Sequence, residues 1–141
     1  MKHETQFRLE LVTQEKVLLS QEVSFVVVPS GRGPIGILPG HAPLLGVITV
    51  GILKVRDTAQ KEFDVFVRRG FFMVSRTGVT VVTQSAEVGN SIDLDRALEA
   101  RERAEKIIAT RSPGMDMERA REALTRAKTR IKIVQGAPSP R

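Results

Sequence analysis

The chain has no cysteine and no tryptophan or tyrosine, and only two histidines among its 141 residues. Without cysteine there is no disulfide, no thiolate nucleophile and no thiolate metal site, and the redox compartment stays open. His3 and His41 alone cannot build a histidine metal cluster. The opening Met1-Lys2-His3-Glu4-Thr5-Gln6 is charged and lacks the apolar stretch of a secretory signal, so a cytosolic-side protein is expected. Residues 33–53 carry no Lys, Arg, Asp or Glu, over a length close to the roughly 20 residues of a membrane helix. Pro34, Pro39 and Pro43, together with several glycines, would break that helix and leave backbone groups unsatisfied in lipid. No membrane span is expected there.

What the chain does contain falls into two halves. All six phenylalanines lie before residue 73, whereas the region after Ser91 is rich in Ala, Arg and Glu and carries most of the net charge of +6. In the first half apolar and polar residues alternate: Phe7, Leu9 and Leu11 against Arg8 and Glu10, then Phe63, Val65 and Val67 against Glu62 and Asp64. Period two with one apolar face is strand patterning. Further β-branched runs at residues 23–28, 47–55 and 79–82 are separated by turn signals such as Pro29-Ser30-Gly31, Asp57-Thr58 and Thr77-Gly78. Closely spaced strands of this kind build a sandwich or barrel. After Gly89-Asn90-Ser91 the period becomes helical, with Ala97, Ala100, Ala104 and Ile107, then Met117, Ala120, Leu124, Ala127, Ile131 and Val134 on one stripe. Ser112-Pro113-Gly114 stops the first helix, and so short a connection makes the two helices antiparallel. The expected architecture is a β body over residues 1–88 and a helical hairpin over residues 89–141, with a frayed tail from Gly136. The alanine-rich seam buries little area, so the hairpin should be marginal by itself. Asp93 and Asp116 stand where N-cap side chains belong, with Asp95 and Glu118 adding negative charge in the first turns.

Three motifs bear on chemistry. Gly31-Arg32-Gly33-Pro34-Ile35-Gly36 has the spacing of a dinucleotide loop, but Pro39, Gly40 and Pro43 follow where a helix is required, so it reads as a turn. His41 has no nucleophile, acid or metal set placed beside it by any motif, and reads as a turn histidine instead of a catalytic base. Arg126, Lys128, Arg130 and Lys132 form a basic run without acidic neighbours. Dipole compensation at a helix C-terminus and a functional basic face both account for it. A nucleic-acid-binding module is the rival reading of this basicity. The helices are mixed in sign, however, and offer no aromatic residue on which a base could stack.

Gly36-Ile37-Leu38-Pro39-Gly40-His41-Ala42-Pro43-Leu44-Leu45 resembles the signature turn of the epsilon subunit of bacterial-type rotary ATP synthases. The likeness continues through an opening strand at residues 7–12, Gly70-Phe71-Phe72, Val79-Thr80-Val81-Val82, Ala86-Glu87 and Ile92-Asp93, covering residues 5–134. Arg32-Gly33-Pro34 lengthens one turn relative to the family pattern, and Arg69 stands where a second glycine is common. The resemblance implies a non-catalytic rotor subunit with a β-sandwich of about ten strands, no required cofactor, and a structural turn at Gly36, Pro39, Gly40, His41 and Pro43. Its implied partners are the gamma subunit, the c-subunit ring and, through the C-terminal helices, the catalytic alpha/beta hexamer, where those helices restrain ATP hydrolysis. It would be a peripheral protein on the cytoplasmic face of the bacterial membrane, coupling proton or sodium translocation to ATP synthesis. Some members bind regulatory ATP on the folded hairpin, and Ile92-Asp93-Leu94-Asp95-Arg96-Ala97 matches their motif. The corresponding positions here are Glu87, Asp93, Arg96, Arg103, Arg126 and Arg130. The echo Met115-Asp116-Met117-Glu118-Arg119-Ala120 reads simply as helix capping, which explains Asp93 equally well but not the paired Arg126 and Arg130.

Overall fold

A computed structural model describes residues 5–111 and 113–136. His3, Ser112 and the tail beyond Gly136 lie outside the described residues. Six strands come first: β1 (Phe7–Val12), β2 (Val17–Ser30), β3 (Gly33–Ile37), β4 (Leu44–Asp57), β5 (Glu62–Val74) and β6 (Gly78–Val88). They pair in the order β1-β6-β5-β4-β2-β3, and an added β1–β2 pairing closes the first five into a ring with β3 appended to β2. Only β1–β6 is parallel.

The expected count of about ten strands is corrected to six, because the long strands bend without ceasing to pair. β2 shifts register between Val23 and Phe25 and again between Val27 and Ser30. Within β5 the bend falls at Arg69, which adopts a left-handed backbone with φ of 53°. Val65 and Val67 point into the core before it and Phe72 and Val74 after it, so this one residue inverts the alternation. The core is contributed entirely by the strands, including Leu9, Leu11, Val26, Ile48, Leu53, Val65, Phe72 and Val81.

A 3-10 turn (Gly89–Ser91) leads to α1 (Leu94–Thr110) and α2 (Met117–Gln135). Asp93 Oδ1 accepts from Arg96 N at 3.1 Å and Asp116 Oδ1 from Arg119 N at 3.2 Å, so both aspartates cap their helices. Left-handed Arg111, with φ of 47°, ends α1 just ahead of the expected stop. Ala97, Ala104, Ala120, Ala127 and Ile131 form the buried seam, while Val134 is exposed. Helix α2 lies over the outer face of β4 and β5. It covers Phe66, which is fully buried yet stands outside the core of the body. Residues 33–53 form β3, a turn and most of β4. Among the described residues no helix is long and apolar enough to cross a membrane.

Candidate functional site

The signature segment forms a tight turn. His41 N donates to Leu38 O at 3.1 Å, with Pro39 and Gly40 at the corners and Gly40 at φ of 83°. Proline at the second position and a positive-φ glycine at the third are what a type II turn requires. His41 Nδ1 lies 2.7 Å from Ala42 O, so the imidazole is tied to its own loop. The adjoining Gly31-Arg32 is the two-residue connection of the β2–β3 hairpin, with Ser30 paired to Gly33.

The hairpin creates the more informative site. Glu87 near the end of β6, Asp93 at the N-cap of α1, Arg96 and Arg103 on that helix, and Arg130 on α2 all line one cavity of about 260 Å3, together with Ser91. Arg130 fixes its wall: Nε donates to Glu87 Oε1 at 2.8 Å, and the guanidinium carbon sits 4.2 Å from the centroid of the Phe66 ring. The Asp93 cap uses one carboxylate oxygen. The side chains of Arg96 and Arg103 make no hydrogen bond or ion pair among the described residues. Small-molecule sites generally begin near about 300 Å3. This cavity therefore suits part of a nucleotide with the remainder facing solvent, and its arginines match the geometry that phosphate oxygens need.

Five of the six expected nucleotide residues are thus brought together. Arg126 is not among them: it shares a helix face with Arg130 but lines a separate cavity of about 550 Å3 against β4 and β5. Its guanidinium is held below the ordinary arginine pKa, first by burial and then by the charges of Arg68 and Arg130, with Glu122 acting in the opposite sense. The basic run also divides. Arg126 and Arg130 are half-buried against the body, whereas Lys128 and Lys132 are exposed. Residues two apart on a helix point in nearly opposite directions, so the four do not share one face. Phe66 and Arg68 escaped the sequence reading. Their only signal was a phenylalanine on the outward phase of β5, which the strand pattern left unexplained.

A closed β body carrying a docked, capped helical hairpin defines the class of chain. Residues 6–89 match the beta-sandwich domain of the ATP synthase delta/epsilon chain, and residues 90–135 match its long alpha-helix domain. The ATP synthase epsilon chain of Desulfitobacterium hafniense is 45% identical over 125 residues, spanning 89% of this chain and 93% of that one. That of Desulforamulus reducens is 41% identical over 128 residues, spanning 91% and 96%. The chain belongs to the ATP synthase epsilon chain family, whose members are non-catalytic subunits of the synthase. In fold it resembles a chain of the Euglena gracilis mitochondrial ATP synthase (TM-score 0.70, 23% identity, 96% of this chain and 81% of that one). A chain of the Tetrahymena thermophila mitochondrial central stalk and c-ring is similar too (TM-score 0.55, 16% identity, 96% and 97%). The nucleic-acid-binding reading finds no support in these relationships.

Proposed function

We propose that this chain is a central-stalk subunit whose hairpin is an ATP-sensitive restraint on ATP hydrolysis. The observation that carries this reading is the cavity that gathers Glu87, Asp93, Arg96, Arg103 and Arg130 from both helices and the body. It exists only while the hairpin is folded back, so a ligand bound there stabilises the compact form. At a hundredfold excess over Kd such a ligand contributes about 2.7 kcal/mol, enough to govern a weak alanine seam.

On this reading ATP is the ligand, with Arg96, Arg103 and Arg130 on its phosphates. When it leaves, the hairpin extends and carries Arg126, Lys128, Arg130 and Lys132 toward acidic surfaces of the alpha/beta hexamer. The body grips the gamma subunit and stands on the c-ring at the cytoplasmic face of the bacterial membrane, where the complex couples proton or sodium movement to ATP synthesis. The stretch of the β4–β5 outer face that α2 leaves open supports the gamma contact: Leu45 pairs with Met73 and Val47 with Phe71, and all four are exposed. A contiguous apolar patch of this kind marks an interaction surface.

Calorimetry of the full chain with ATP tests the site. Heat of binding that is lost in Arg103→Ala is expected, since Arg103 has no hydrogen bond or ion pair among the described residues to disturb. Absence of heat in the parent, or undiminished heat in the variant, would sink the nucleotide reading.

A further inference from the structure

The second, larger cavity lies apart from the one assigned to ATP. Its floor is apolar, with Val47, Ile48, Val50 and Gly70 from β4 and β5, while Arg68 and Arg69 of β5 and Arg126 of α2 supply three guanidiniums at its edge. The single carboxylate on the lining, Glu122, lies 3.5 Å from Arg69 Nη2 and cannot compensate all three. Arg68 has one long neutral contact, Nη1 to Gln84 Oε1 at 3.3 Å. Arg126 makes no hydrogen bond or ion pair among the described residues. Arginine stays protonated at any physiological pH, so the three side chains form a net positive cluster that a bound anion would neutralise.

Backbone strain points the same way. Arg69 holds φ of 53° within a strand, a conformation that costs a non-glycine residue stability and that proteins keep mostly at functional positions. What the strained position gains is a side chain at the rim of this cavity. Three planar donor forks arriving from two elements suit a tetrahedral oxyanion better than a flat carboxylate, and about 550 Å3 lies within the range of small-molecule sites.

We infer that the cavity between α2 and the β4–β5 face is a second ligand site, which takes a phosphate-bearing small anion on Arg68, Arg69 and Arg126. An anion there would tie α2 to the sheet at a point one helical turn from Arg130. The inference does not depend on ATP filling the first cavity.

Titration of the full-length chain with inorganic pyrophosphate, at matched ionic strength, tests it. Binding is expected to contain a component weakened about tenfold or more in Arg68→Gln and in Arg69→Gly. The glycine variant keeps the left-handed backbone, so it guards against simple misfolding. Arg103→Gln, which touches only the first cavity, should leave that component unchanged, whatever it does to pyrophosphate in the first cavity. Absence of binding to the parent chain, or binding that survives in both Arg68→Gln and Arg69→Gly, would overturn the inference. So would binding lost in Arg103→Gln alone. ATP titrated into the same variants judges the first site separately: ATP heat lost only in Arg103→Gln, beside pyrophosphate heat lost only in the β5 variants, marks two sites.

Discussion

Arg69 shows how much a single backbone angle can decide. Its left-handed φ inverts the alternation of β5, placing Phe72 and Val74 in the core and leaving Phe71 and Met73 outside. Glycine adopts that conformation without the steric penalty, which is about 1–2 kcal/mol for other residues. Against this stands the loss of the exposed Arg69–Glu122 ion pair, a class worth about 0–1 kcal/mol. The glycine also adds about 0.5–1 kcal/mol of unfolded-chain entropy, so Arg69→Gly should keep stability within about 1 kcal/mol of the parent, read from thermal unfolding; a larger loss would refute the strain argument. Gly70 beside it is needed for a different reason. A Cβ there would sit 1.9 Å from the backbone oxygen of Val82, so Gly70→Ala should force β5 and β6 apart and cost about 2–3 kcal/mol. That Arg69 departs from the family's glycine was visible in the sequence, but what it does to the strand was not, because φ is not written in an alternation pattern.

At the scale of the elements, both N-caps were legible, since Asp followed by acidic first-turn residues has a local cause. The two aspartates also offer a control for each other. Asn caps a helix about as well as Asp, so Asp93→Asn should preserve helix α1 by circular dichroism, and a loss of ATP binding in it would mark the second carboxylate oxygen as a ligand acceptor. Asp116→Ala, at a cap remote from the cavity, should cost about 1 kcal/mol of helix stability, seen as faster amide exchange in α2. If Asp93→Asn leaves ATP binding intact, that residue is a cap and nothing more. Strand number was less legible. The count of about ten came from the resemblance, while a bulge in β2 and a left-handed residue in β5 each interrupt the period in sequence without interrupting the ladder. Helical periodicity found the seam but could not say which flank faces the body, and the resemblance grouped Arg126 with Arg130 at one nucleotide where they line two separate cavities.

For the whole molecule the question is how firmly the hairpin is held. The core contains no hairpin residue, so residues 1–88 should unfold cooperatively by themselves. Beside the apolar packing of α2 on the sheet, the charged docking contacts among the described residues are Arg130 to Glu87 at 2.8 Å, Arg130 on Phe66, and Arg69 to Glu122. A partly exposed ion pair is worth about 1 kcal/mol or less and a cation on a phenyl ring about 0.5–1 kcal/mol, so Arg130→Ala should loosen the hairpin by about 1–2 kcal/mol. A ligand shifts the balance by a comparable amount, which is what a switch requires. The absence of native cysteine makes the decisive measurement simple. With Thr58→Cys and Gln135→Cys as the only labels, one at the β4–β5 turn and one at the end of α2, spin-label distances report hairpin opening directly in the full chain. A single short distance is expected in saturating ATP, an added long population when ATP is removed, and a larger long population in Arg130→Ala that ATP does not restore. One unchanged distance distribution under all three conditions would contradict the proposed switch.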